Sequence, residues 1–267
     1  MGDFNEKAAL VTGAGSGIGR AIGLGLAAKA AYVWATDHDL AAAEGTVAMI
    51  EAAGGKGRAV RLDVSDEAQW QTTFELCDAG EQALTILVNC AGISAIADTF
   101  SMQLDDFRRI MAVNAEGTFL GMKHGVPRIA AAGGGSVINI SSMAGLKGIS
   151  GMAAYCASKG AIRMMSKAVA LECASLRNHV RVNSLHPGLV DTPALRKHID
   201  AAIMAGQVPQ DTDPAAFHPD EIAKTAVPIG VACQAEEVAD LVCFLSSANA
   251  AHITGAEIPI DGGMTAG

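Results

Sequence analysis

At 267 residues, half of them hydrophobic and only 18% charged, the chain is long enough to bury a large α/β core. A formal net charge of −9 and 4% aromatics argue against nucleic acid as a partner, which demands clustered Lys and Arg or a stacking surface. The six cysteines, at 77, 90, 156, 173, 233 and 243, form no C-x-x-C pair and lack the His spacing of a zinc site, so no metal is expected.

Elements alternate from the start. Ala8–Val11 reads as a buried strand, followed by a Gly-rich turn and a helix from about Ile18 to Ala30. Tyr32–Thr36 is the next strand, and residues 40–53 are Ala-rich and helical. Ala59–Leu62 forms a third strand that ends at Asp63, with a helix after it. Leu84–Val88 and Ser136–Ile140 are two more buried strands with a helix pair between them. A helix then covers roughly 152–174, Val180–Ser184 is a sixth strand, and Ala256–Ile260 supplies a seventh. Strands alternating with helices mean βαβ units and a parallel sheet covered on both faces. No linker or repeat divides the chain, so a single domain over 1–267 is expected.

Residues 190–232 break the rhythm. They hold Pro193, Pro209, Pro214, Pro219 and Pro228 and are too polar for a sheet layer. Such a segment is either a substrate lid or a surface excursion. The opening residues lack the charged start and apolar run of a signal peptide, and no run reaches about 18 apolar residues. A cytoplasmic protein without a membrane span is therefore expected, its cysteines reduced.

Thr12-Gly-Ala-Gly-Ser-Gly-Ile-Gly19 sits between the first strand and the first helix. Small residues there let the backbone approach a pyrophosphate, and the helix start supplies unpaired N–H groups. Gly13, Ser16, Gly17, Ile18 and Gly19 are the expected contacts. Asp37 closes the second strand, 18 residues after Gly19. A carboxylate there accepts hydrogen bonds from ribose hydroxyls and repels a 2′-phosphate, which favours NAD over NADP. Asp63 and Val64 are placed at the adenine edge. Asn89, Ala91 and Gly92 end the fourth strand, where a doubly wound sheet opens its crevice.

Tyr155-Cys-Ala-Ser-Lys159 lies thirteen residues after Ser142, in the 152–174 helix. Residues four apart share a helix face, so the phenol and the ammonium can point into one site. A free phenol, with a pKa of about 10, is a poor base near neutral pH, and a cation beside it favours the phenolate. Ser142 can then hold the oxygen of an alcohol or carbonyl substrate while Tyr155 moves the proton. Taken alone, this spacing arises often by chance.

The motifs taken together, from Thr12–Gly19 through Asp63, Asn89–Gly92, Asn114, Ser142, Tyr155 with Lys159 and Pro187-Gly188 with Thr192 to Asp261-Gly-Gly263, resemble the short-chain dehydrogenase/reductase family from Lys7 to Gly263. The resemblance implies a doubly wound Rossmann fold with a parallel seven-stranded sheet and NAD as cofactor. It implies Tyr155 as general acid/base, Lys159 lowering the Tyr155 pKa and binding the nicotinamide ribose, and Ser142 orienting the substrate oxygen. Asn114 is similar to the residue that holds a water joining Lys159 to solvent. Pro187, Gly188, Val190 and Thr192 resemble the segment that grips the carboxamide end of the nicotinamide. It also suggests a homotetramer or homodimer through paired helices, since the helix from Met152 to Ala174 has a spare apolar face.

Three positions depart from the family pattern. Cys90 stands where many relatives have a second Asn, Ala30 ends a helix where Gly is common, and His186 precedes Pro187 where smaller polar residues are common. His186 reads first as a packed structural residue and second as a border of the substrate cavity. The implied pocket wall (Ile93, Ser94, Ala95, Met143, Leu146, Ile149, Met152 and Leu189) is mostly apolar. It suggests a hydrophobic, cyclic or steroid-like secondary alcohol. The competing readings are a 3-oxoacyl-thioester reductase and a non-catalytic dinucleotide sensor.

Overall fold

The computed structural model describes residues 4–193, 195–197 and 218–267. Seven parallel strands form one sheet in the order β3-β2-β1-β4-β5-β6-β7. They are β1 Lys7–Thr12, β2 Tyr32–Asp37, β3 Lys56–Arg61, β4 Ala83–Asn89, β5 Gly135–Ile140, β6 Val180–Pro187 and β7 Glu257–Ile260. The helices are α1 Gly17–Ala28, α2 Leu40–Ala52, α3 Glu67–Asp78, α4 Leu104–Met111, α5 Gly117–Ala131, α6 Ala153–Leu176, α7 Pro219–Ala226 and α8 Ala235–Ser246. The strand order reverses between β1 and β4, and a crevice opens outside the carboxyl ends of strands at such a point.

Side chains alternate across a strand, and here both faces are buried. Ala9 and Val11 of β1 enter a core with Ile22 and Leu26 of α1 and Val238 and Val242 of α8. Ala8 and Leu10 enter the opposite core with Trp70 and Phe74 of α3 and Ile129 of α5. α1 approaches α8 closely: a Cβ on Gly25 would lie 3.5 Å from Ala239 Cβ and Cys243 Sγ.

Strand placement departs from the sequence expectation most at β3, which begins at Lys56 instead of Ala59. Lys56, Gly57 and Arg58 pair with Tyr32, Val33 and Trp34, and β3 is the sheet edge with no fully buried residue. An edge strand needs no apolar run, so composition hides its start. Of the 190–232 segment, α7 and its flanks are described, while Ala194 and residues 198–217 lie outside the described residues.

Ala30 carries the strain its position implies. Its φ is 72°, in the left-handed region, where Ala30 N–H donates to the Ala27 carbonyl and Ala31 N–H to the Leu26 carbonyl. A Cβ in that conformation costs about 1–2 kcal/mol, and Gly returns part of this as chain entropy. Because Ala30 is exposed, Ala30→Gly removes little packing. We expect it to stabilise the fold by about 0.5–1 kcal/mol, read as a higher melting temperature at matched protein concentration. An unchanged or lower melting temperature counts against it.

Candidate active site

The Gly-rich turn joins β1 to α1 by close backbone contact. A Cβ on Gly13 would sit 2.8 Å from Ala91 Cα, and one on Gly19 would sit 2.1 Å from the Gly13 carbonyl oxygen. Gly13 also has φ 66°, which favours glycine. Ser16, the exposed residue ahead of α1, makes no side-chain cap, and the first turn holds no acidic residue. The first N–H groups of α1 are therefore open to an anion. Thr12 Oγ1 accepts from the backbone N–H groups of both Cys90 and Ala91 at 3.0 Å, tying the ends of β1 and β4 together.

Asp37 stands beside this turn. Its Oδ2 accepts from Gly15 N–H at 2.9 Å, and its Oδ1 accepts from Asp39 N–H at 3.1 Å and lies 2.8 Å from His38 Nδ1. Asp63 is exposed just after β3, its Oδ1 accepting from Ser65 N–H and Oγ–H. Val64 is buried, and its carbonyl accepts from Trp70 Nε1 at 2.9 Å. Ile18 packs on the core. Asn89 turns inward: its amide donates to Asn139 Oδ1 at 2.8 Å, and its own Oδ1 is buried without a protein partner. Only its main chain faces the strand end. Open α1 amides, side-chain-free glycines and an oriented carboxylate fit a dinucleotide whose ribose meets Asp37.

Asn114 occupies a π-turn, Ala112–Glu116, between α4 and α5. Its Oδ1 accepts from Ile93 N–H and its Nδ2 donates to Ile93 C=O, both at 2.8 Å. Nδ2 also donates to Ser158 Oγ at 2.9 Å, and Ser158 Oγ–H donates to the Tyr155 carbonyl at 2.8 Å. Asn114 thus clamps the loop after β4 to the first turn of α6. A Cβ on Gly92 would fall 3.3 Å from Asn114 Oδ1 and 3.4 Å from Lys159 Nζ, so those three residues meet.

Lys159 is buried and donates to the Ile140 carbonyl at 2.9 Å. Its Nζ lies 5.5 Å from the Tyr155 ring centroid. Burial pushes the ammonium down to about 8. Tyr155 is hydrogen-bonded to the Ser142 hydroxyl, which favours the phenolate, yet burial is the larger influence and raises the phenol. The sequence foresees the neighbouring cation and misses desolvation, which only packing creates. Ser142 follows β5 in extended conformation and caps a short 3₁₀ turn, its Oγ accepting from Ala144 N–H at 3.1 Å. Burial pushes the Cys90 thiol up to about 12, leaving an inert packing group.

On the far side, Gly188 packs where a Cβ would meet Asp261 Cα at 2.8 Å, and Val190 bridges to Cys233. Thr192 comes back to the Gly-rich turn: a Cβ on Gly17 would be 3.4 Å from its Cβ. Pro187 ends β6. Across the mouth, Ala97 N–H donates to the Gly151 carbonyl at 2.9 Å, joining the loop after β4 to the loop before α6. Ser141 and Ser158 were not foreseen as parts of the site, whereas His186 was singled out, first as a packed residue and second as a border of the cavity. Ser158 had a signal, since it lies three residues from Tyr155 on the same helix; Ser141 Oγ–H donates to the Lys159 carbonyl at 2.9 Å, a contact that only the fold creates.

Residues 7–202 match the description of the short chain dehydrogenase family. The chain is similar to cyclohexanol dehydrogenase of Acinetobacter sp. (strain SE19), at 36% identity over 263 residues, covering 98% of this chain and 96% of that protein. It is 35% identical over 263 residues to the NADP-dependent (R)-specific alcohol dehydrogenase of Lentilactobacillus kefiri, covering 97% of each. A solved short-chain type dehydrogenase/reductase from Mycobacterium marinum matches with a TM-score of 0.87 at 29% identity, covering 99% of this chain and 98% of that one.

Proposed function

The chain belongs to the short-chain dehydrogenase family, and on that premise we propose that it is an NAD-dependent oxidoreductase interconverting a hydrophobic, cyclic secondary alcohol and its ketone. The observation that carries the chemistry is one cluster: Tyr155 bonded to Ser142, with the buried Lys159 ammonium 5.5 Å from the phenol ring.

In the oxidation direction, the alcohol O–H proton passes to the Tyr155 phenolic oxygen while the carbinol carbon loses hydride. The bound nicotinamide supplies the hydride acceptor. Ser142 donates to the same substrate oxygen and steadies the charge that develops on it. Lys159 holds positive charge beside Tyr155 and the nicotinamide ribose. Asn114 keeps the loop from Gly92 to Ile93 against α6, so that the reacting carbons are held in line. Gly13, Ser16, Gly17, Ile18 and Gly19 hold the pyrophosphate, and Asp63, Val64, Asn89 and Ala91 border the adenosine side. Pro187, Gly188, Val190 and Thr192 border the carboxamide.

The preference for NAD rests on Asp37, whose side chain is 11% exposed and already oriented by two backbone N–H groups. A 2′-phosphate would meet this carboxylate. The cyclic substrate rests on the apolar implied wall and on the cyclohexanol dehydrogenase likeness. Initial rates with cyclic and acyclic secondary alcohols and a 3-hydroxyacyl thioester, each with NAD and NADP, test both. Cyclic alcohols with NAD should give the highest kcat/KM; a faster thioester or NADP reaction overturns the reading.

The seven strands share one sheet, which supports residues 1–267 as one domain with a lid in 190–232. Met164 and Leu171 of α6 are 59% and 70% exposed, and Phe119 of α5 is 49% exposed. These apolar faces support a homotetramer or homodimer, and light scattering that gives a monomer would refute it. Six free cysteines support a cytoplasmic setting. Among the described residues, no helix is long and apolar enough to cross a membrane.

A further inference from the structure

We propose that His186 is the positioning residue for Ser142, its ring donating to the Ser142 carbonyl just past the end of the β5–β6 ladder. The proposal rests on the reading of Ser142 and Tyr155 as the reacting pair. The β5–β6 ladder runs as far as the Ser141 N–H to Leu185 C=O bond at 2.8 Å. Pro187, which follows His186, has no N–H with which to carry the ladder on to the Ser141 carbonyl. One residue further on the link comes from a side chain: His186 Nδ1 lies 2.9 Å from the Ser142 carbonyl oxygen.

The partners dictate the tautomer. A backbone carbonyl only accepts, so Nδ1 carries the proton and donates to Ser142. Nε2, 3.0 Å from Ser184 Oγ, is then the acceptor for the Ser184 hydroxyl. The ring is fully buried, and burial lowers its pKa, which keeps this neutral form in place. The Ser142 carbonyl also accepts from Gly145 N–H at 2.9 Å, so both of its lone pairs are used. With its peptide held on this side and Oγ accepting from Ala144 N–H, the Ser142 hydroxyl is held within reach of Tyr155.

Two amide substitutions separate the two nitrogens. In His186→Asn the side-chain N–H₂ overlies Nδ1 and keeps the Ser142 bond; in His186→Gln it overlies Nε2 and keeps only the Ser184 bond. The chain has two tyrosines, so tyrosine labelled with ¹³C at Cζ gives two resonances, one from Tyr155. In His186→Gln the Tyr155 resonance should move toward its position in Ser142→Ala, and kcat should fall about tenfold with NAD affinity held within about twofold. In His186→Asn both should stay near wild type. Equal behaviour of the two variants overturns the proposal, as does a Ser142→Ala spectrum identical to wild type. If the resonances follow this pattern while turnover stays intact in all variants, positioning stands and the reacting-pair reading falls.

Discussion

Tyr155→Phe should lower turnover by about 10²–10⁴-fold, the range a positioned general acid/base contributes, while NAD affinity changes little. The substitution removes one oxygen and leaves the ring, so the packing of α6 and its Asn114–Ser158 clamp is undisturbed. Ser142 then has no phenol to align. Steady-state kcat and a fluorescence titration of NAD binding read the two effects separately. Turnover within tenfold of wild type would sink the proton-transfer assignment.

The pH dependence follows from the same pair. Burial raises the Tyr155 phenol, so it remains protonated through neutral and mildly alkaline pH and is ready to donate to a ketone. Burial lowers Lys159 to about 8, so its charge is present below that pH and lost above it. In the reduction direction, kcat/KM for the dinucleotide reports the free enzyme and should therefore fall as pH rises through about 8. A profile flat from pH 7 to about 10 would contradict this.

Gly19→Ala should weaken NAD binding at least about tenfold and lower the melting temperature, against its helix propensity. Propensity alone favours Ala over Gly by about 1 kcal/mol inside a helix. The new Cβ, however, would lie 2.1 Å from the Gly13 oxygen and 2.7 Å from its carbonyl carbon, so the turn must move. Forcing a methyl into packed backbone costs about 1–3 kcal/mol. The shift would carry along Gly15 N–H, which orients Asp37 at 2.9 Å, and the open amides of α1. Gly45 of α2 is the control: nothing lies within 4 Å of its would-be Cβ, so Gly45→Ala should stabilise by about 0.5–1 kcal/mol. If the two substitutions move the melting temperature the same way, close approach is not the reason for Gly19.

Legibility varied with how local the cause was. The Gly-rich turn, Asp37 at the end of β2 and the Tyr155–Lys159 spacing are readable because turn chemistry, strand ends and helix periodicity act over a few residues. The parallel sheet was readable because each strand buried on both faces is an apolar run. The first half of edge strand β3, Lys56–Arg58, escaped, since half-buried strands do not need that run. Asn89 was placed toward the crevice by its position at a strand end, yet its amide turns to Asn139, 50 residues away in sequence. Nothing near Asn89 in the chain signals that partner.

By itself the sequence determined the βαβ order, the small residues of the Gly-rich turn and the Tyr155–Lys159 face of α6. Each depends on side-chain size or short-range periodicity. Only the tertiary structure decided the protonation setting of Tyr155 and Lys159, because desolvation depends on what packs around them. It also decided that Asn114 clamps Ile93 to Ser158 and that His186 reaches Ser142. Those bonds join residues 21 to 44 apart, and a hydrogen bond forms where the fold brings a donor to an acceptor.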